Sequence, residues 1–227
     1  MQYESVCRAS FLARPNRFIA LVELDGTVER VHVKNTGRCR ELLLPGAELW
    51  LSRSDKPERK TNYDLIAVRK DDGVLFNIDS QAPNRVVREW LETQNFDRIL
   101  PEQRFGSSRI DFAMERGSER WLLEVKGCTL ERNGIGYFPD APTARGARHL
   151  KELTQAVRQG WHAAVAFVMQ AESMERVLPN RDTDPAFAEA LCAAQGAGVQ
   201  VLSLPCRVTP DRLELIGNQA FRSEGDS

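Results

Sequence analysis

A chain of 227 residues, 42% hydrophobic and 28% charged, can bury a core as one large or two small domains. Its formal net charge of −1 gives no general electrostatic case for nucleic acid, so an anionic partner needs a local basic patch. Residues 163–169, the longest apolar stretch, fall far short of the roughly 20 that cross a bilayer, and Glu4 and Arg8 break the start before a signal peptide can develop. A soluble, cytoplasmic protein without a membrane partner is expected. Five scattered cysteines (Cys7, Cys39, Cys128, Cys192, Cys206) form no disulfide framework and no metal-ligand spacing, which points to reduced thiols. Three histidines, His32, His149 and His162, argue against a zinc site.

The first eighty residues read as strands. Residues 17–24 end at the Asp25-Gly26 hairpin turn, and residues 28–33 resume. A helical turn is expected over 38–44 and a short strand over 47–51 after Pro45-Gly46. Residues 65–69 and 74–78 flank the turn at 70–73. Such short strands predict a small barrel, an OB-fold, over 1–80, followed by an α/β domain over 81–227. From Lys34 to Lys60, seven basic side chains stand against four acidic ones, a mild patch or a solvated face. Lys34, Asn35, Thr36 and Arg38 are expected to meet phosphate oxygens through side chains and backbone amides. Trp50 and Phe11 offer base-stacking faces, or simply core.

Pro83 opens the first helix, with Val86, Val87, Trp90 and Leu91 at helical spacing. A strand near 103–105 follows, then a hairpin around Gly117 and Ser118. Folding that hairpin symmetrically sets Met114 opposite Trp121 and Asp111 opposite Glu124. Arg109, Asp111, Glu124 and Lys126 then share one face, and Ile110, Phe112, Met114, Trp121, Leu123 and Val125 the other. The apolar set determines the register, since a slip of one residue would bury the charges. Two carboxylates across a strand pair repel. A divalent cation between them, magnesium or manganese, would relieve this, and Lys126 would sit beside the anion it binds. The same spacing also fits a solvated charge ladder neutralised by Arg109 and Lys126. Residues 133–142 read as a Gly- and Pro-rich loop. Thr143 caps a second helix that stops at Gly160, with Leu150, Leu153 and Val157 as its core stripe. Arg145, His149 and Glu152 are expected on its opposite face. Residues 162–169 form a buried strand, 185–194 a third helix and 199–204 a last strand; the tail from 222 is polar.

An Asp on one strand and Glu-x-Lys on the next, in the order helix, three strands, helix, strand, resembles the PD-(D/E)xK nuclease core. A closer likeness follows from Asn35-Thr36-Gly37, Leu42-Leu43-Leu44-Pro45-Gly46, Ser108-Arg109-Ile110-Asp111-Phe112 and Glu124-Val125-Lys126. With Gly136-Tyr137-Phe138-Pro139-Asp140-Ala141, Thr143, Arg145-Gly146 and His149-Leu150, these resemble the sugar fermentation stimulation protein A family over nearly the whole chain. Cys39 and Glu41 depart from the more apolar or glycine-containing run expected after Asn-Thr-Gly. The resemblance implies an OB-like domain, a nuclease-like domain, DNA binding and a regulatory link to sugar metabolism. It makes Asp111, Glu124 and the Val125 carbonyl metal ligands, Lys126 the group that orients the attacking water, and Glu89 a candidate third acid. Glu89 fits equally a surface pair with Arg85 or Arg88. The likeness also adds Arg145 and His149 as phosphate or nucleotide contacts. Three alternatives stay open: a non-catalytic DNA-binding transcriptional regulator retaining the fold, an enzyme on RNA or another phosphate ester, and a plain structural protein. Monomer and homodimer are both compatible with the chain.

Overall fold

The computed structural model describes residues 1–35, 37–54, 58–217 and 221. Five strands close a barrel: β1 (Val6–Asn16), β2 (Ile19–Leu24), β3 (Thr27–Val33), β4 (Glu48–Arg53) and β5 (Tyr63–Arg69). Their order is β3-β2-β1-β4-β5, and β3 returns to pair β5 in parallel at His32↔Asp64 and Val33↔Leu65. Closure leaves no free edge, the arrangement expected of an OB-fold. Asp25 and Gly26 both take positive φ (51° and 77°), the mirror-image turn a two-residue hairpin needs. Phe11, Val22, Val31, Leu49, Leu51 and Leu65 are buried in the barrel core. β6 (Leu75–Asn77) extends β5.

No strand is expected before residue 17, yet β1 is the longest in the barrel and pairs both β2 and β4. Its register is interrupted between Phe11 and Ala13 and again between Ala13 and Asn16. Ala9 and Phe11 on it are buried, and the breaks in register beyond Phe11 cut the period-2 signal short.

The second domain runs α1 (Ala82–Leu91), β7 (Arg98–Phe105), β8 (Ser108–Arg116), β9 (Glu119–Cys128), β10 (Glu131–Arg132), β11 (Ile135–Phe138), α2 (Ala144–Arg158), β12 (His162–Met169), β13 (Arg176–Pro179), α3 (Pro185–Gly196), β14 (Gln200–Thr209) and β15 (Arg212–Leu215). A mixed sheet has the order β15-β14-β12-β9-β8-β7, with β9, β12 and β14 parallel. The Thr143 hydroxyl accepts the Gly146 N–H at 3.0 Å and starts α2; the Asp184 carboxylate accepts the Phe187 N–H at 2.9 Å and starts α3. Val86, Val87 and Leu91 of α1 pack in one cluster with Phe112, Met114, Trp121, Leu123 and Val125. Leu150, Leu153 and Ala156 of α2 belong to the cluster that holds Ala113, Leu122, Val165 and Phe167. Ile110 is grouped with this second set, not with the apolar face expected for it.

Residues 133–142 are not all loop, because β11 pairs β10 and runs parallel to β13. The chain does not end its sheet with one strand over 199–204; β14 is longer and turns back as β15. The tail from 222 lies outside the described residues, and among those described no helix is long and apolar enough to cross a membrane.

The two domains share a core. Trp50, Ile66 and Ala67 of the barrel sit in the cluster built by α1 and the mixed sheet. Across the junction, Gln170 donates to the Asn77 side chain at 2.9 Å and to the Asp79 carbonyl at 3.2 Å, and its carbonyl accepts the Asn77 N–H. A shared core predicts a single calorimetric unfolding transition. Ile66→Ala, at a position with no exposure, should destabilise the whole chain by about 2–5 kcal/mol. Two resolved transitions, of which the substitution moves only one, would contradict this.

Candidate functional site

β8 and β9 pair in the register Met114↔Trp121 and Phe112↔Leu123, which sets Asp111 across from Glu124 one step on. There the Asp111 carboxylate takes over from the ladder. Its Oδ2 accepts the Val125 N–H at 2.8 Å, and its Oδ1 accepts from Asn84 Nδ2 at 2.9 Å. Glu124 Oε1 accepts from Lys126 Nζ and meets His149 Nδ1. The face is therefore no solvated ladder. Glu124 is 2% exposed and His149 2%, while Arg109 turns away to Glu102 at 3.2 Å.

The environments of the two acids differ. Burial, and then the charge of Glu124, push the Asp111 carboxyl above the usual range. Burial works the same way on Glu124, but hydrogen bonds from His149 and Lys126 outweigh it and hold that carboxyl below its ordinary value. Arg145 Nε lies 3.3 Å from His149 Nε2. A guanidinium can only donate, so His149 accepts at Nε2 and carries its proton at Nδ1, facing Glu124. Lys126 and His149 both crowd Oε1, and among the described residues the buried Oε2 has no hydrogen-bond partner. An unsatisfied buried carboxylate oxygen is costly. A hard divalent cation fits this donor set, because it would satisfy the unpartnered Glu124 oxygen and offset the repulsion between the two acids. Among the described residues, no group of three or more His, Cys, Asp or Glu side chains forms a fuller cage.

The remaining predicted residues are spread differently from expectation. Glu89 does not approach the acids; its carboxylate lies 2.6 Å from the N-terminal amine. The α1 side chain that reaches Asp111 is Asn84, which shares a helical stripe with Val87 and Leu91. A polar residue on an apolar stripe is the signal that could have found it. His149 was expected opposite the core stripe, but it is only about 40° from Leu153 around α2, and so is buried. Arg145 remains exposed above it. Glu152 binds the Ser107 N–H and hydroxyl at 3.0 and 2.8 Å, holding the β7–β8 turn.

In the barrel, the Lys34 ammonium is held by Asp79 at 3.1 Å and Asp64 at 3.2 Å, so its charge is neutralised in place. Asn35 Oδ1 accepts the Gly37 N–H at 2.7 Å; Arg38 is exposed; Thr36 lies outside the described residues. Trp50 and Phe11 are buried core. Gly127, directly after Lys126, passes so close to Gln170 and Pro83 that a Cβ would sit 2.3 and 2.8 Å from them. The loop at Asn35 and Gly37 and the chain from Gly127 to Thr129 line one cleft of about 190 Å³, with Tyr137 and Asp140 beside them. Burial pushes the thiols of Cys39 and Cys128 up to about 12, which leaves them neutral and unreactive.

Because the carboxyl of Asp111 is raised in the folded state, its ionisation costs stability above that folded value and costs nothing below the ordinary Asp value. Asp111→Asn, with the Asn84 amide flipped to accept, keeps both hydrogen bonds. In metal-free buffer at neutral pH it should stabilise the protein by about 1 kcal/mol, raising Tm by about 2–4 °C. The gain should fade as the pH falls towards the ordinary Asp range. A lowered Tm at neutral pH would show that the pair does not repel.

Two family models match the chain: the SfsA N-terminal OB domain over residues 12–78 and the sugar fermentation stimulation protein RE domain over residues 81–212. A sugar fermentation stimulation protein homolog from Desulfitobacterium hafniense (strain DSM 10664 / DCB-2) is 51% identical over 217 residues, covering 94% of this chain and 95% of that one. A homolog from Clostridium perfringens (strain 13 / Type A) is 47% identical over 226 residues, covering 96% and 98%. Among solved structures, Pyrococcus furiosus SfsA in complex with Ca2+ superposes with a TM-score of 0.84 at 29% identity, covering 97% of each chain. With both domains matched and the likeness running the length of the chain, this protein belongs to the sugar fermentation stimulation protein family.

Proposed function

We propose that the protein binds DNA and hydrolyses its phosphodiester bonds, with Mg2+ or Mn2+ held by Asp111, Glu124 and the Val125 carbonyl. The observation that carries this reading is the opposed carboxylate pair, with the buried Glu124 Oε2 left without a partner among the described residues and Lys126 alongside. The solved relative from Pyrococcus furiosus was in complex with Ca2+, and oxygen donors of this kind suit either hard cation. When bound, the ion would supply Lewis-acid stabilisation of phosphate charge and a more acidic water.

The chain's own residues do the positioning. Asn84 and the Val125 N–H orient Asp111, and His149 and Lys126 keep Glu124 ionised and aimed. Arg145 backs His149 from solvent and keeps its Nδ1 proton directed at Glu124. The Lys126 side chain keeps 16% exposure. It can thus donate to a phosphate oxygen as charge builds there, where a fixed donor matters most. Five free thiols agree with a cytoplasmic protein, and DNA is the point at which a link to sugar metabolism would act.

The test is cleavage of labelled single- and double-stranded DNA with magnesium by wild type, Glu124→Gln and Lys126→Met. Wild type should cut only with the ion. Lys126→Met should be slower by about 10²–10³-fold, and Glu124→Gln should also lose calorimetric Mg2+ binding. Equal cleavage by all three, or full activity in chelator, would refute the assignment.

A further inference from the structure

Arg14 is spent on the backbone. Its guanidinium donates to the carbonyls of Asn35 (2.7 Å), Gly37 (2.9 Å), Arg38 (2.8 Å) and Arg17 (2.8 Å). This clamp ties the β1–β2 turn to the loop after β3 and presents three further arginines around a hollow of about 350 Å³. Arg17, Arg38 and Arg40 line it with Asn16 and Leu43, and no acid does. Among the described residues none of the three has a carboxylate partner, whereas Lys34 and Arg59 are tied to Asp64. Next to Arg17 stands Phe18, 51% exposed, although burying a phenyl ring is ordinarily favourable. Its turn is held by hydrogen bonds: Asn16 Oδ1 accepts the N–H groups of Phe18 and Ile19 at 2.9 and 3.1 Å, and the Phe18 carbonyl accepts the Val33 N–H at 2.8 Å. The hollow and the interdomain cleft meet at Gly37, and the cleft reaches Gly127, next to Lys126.

We propose that this hollow, with Phe18, anchors an unpaired nucleic-acid strand whose continuation runs through the cleft to Asp111 and Glu124. The inference rests on the phosphodiester reading and adds the form of the substrate. Free guanidinium groups suit phosphate oxygens, which fix position without reading sequence. An exposed phenyl ring offers a stacking face that only an unstacked base can use. The β1–β2 loop is also where OB barrels commonly take oligonucleotides. A duplex keeps its base faces covered, so it would meet the arginines but not Phe18.

The test is fluorescence anisotropy on the full chain in chelator, where no cleavage intervenes, with one labelled sequence as single-stranded DNA, single-stranded RNA and duplex. Both single strands should bind more tightly than the duplex. Phe18→Ala should weaken single-strand binding by about tenfold and leave duplex binding and Tm unchanged; Phe18→Trp should restore it. Arg38→Ala/Arg40→Ala should reduce the slope of log K against log salt by about 1.4 on single strands. Duplex preference, or an unaffected Phe18→Ala, overturns the strand form; an unchanged salt slope overturns the arginine anchor. Normal cleavage with these binding results would sink only this inference, and normal binding with no cleavage would sink only the hydrolytic one.

Discussion

Two neighbouring carboxylates, Glu124 buried and Asp111 partly so, set the terms for the rest of this structure. Glu124 stays ionised at 2% exposure because Lys126 and His149 both bind it, and His149 can do so because Arg145 occupies its other nitrogen. Asp111 lacks such help. It has an amide donor on each oxygen and a like charge nearby, so it carries the strain of the pair. Side chains from β8, β9, α1 and α2 are thus committed to one small volume. The sheet order, with β9 between antiparallel β8 and parallel β12, keeps them there.

The barrel is built into the same arrangement. Ile66 and Trp50 enter the core that supports α1, and α1 in turn supplies Asn84. Gln170, just past β12, bonds Asn77 of β6 while lying against Gly127. On the other side, a Cβ at Gly37 would fall 2.2 Å from an Asp140 oxygen. Gly37 marks where barrel backbone meets a side chain of the second domain, and Gly127 passes under Gln170, the residue that bonds across the junction. The cleft they border lies directly beyond Lys126.

Much of the site was legible where periodicity alone governs. The Met114–Trp121 register followed from an apolar face that tolerates no slip, and with it the opposition of Asp111 and Glu124. Strand β1 was not legible, because its bulges scramble the alternation that marks a strand. The small sheet of β10, β11 and β13 was hidden because its key pairing joins residues about forty positions apart. Lys34 read as a phosphate ligand because nothing near it in sequence is acidic. Its partners, Asp64 and Asp79, arrive from β5 and from beyond β6.

By itself the sequence determined the β8–β9 register, the Thr143 cap, the OB and mixed-sheet classes and the presence of an acid–acid–lysine set. Each of these depends on residues close along the chain or on a repeating pattern. Tertiary structure decided which charges are spent and which remain. It withdrew Lys34 and Glu89 into ion pairs, buried His149 against Glu124, and left Phe18 and three arginines uncovered. A charge is neutralised by whatever lies within a few ångströms, and for these residues the chain brings that neighbour from another element altogether.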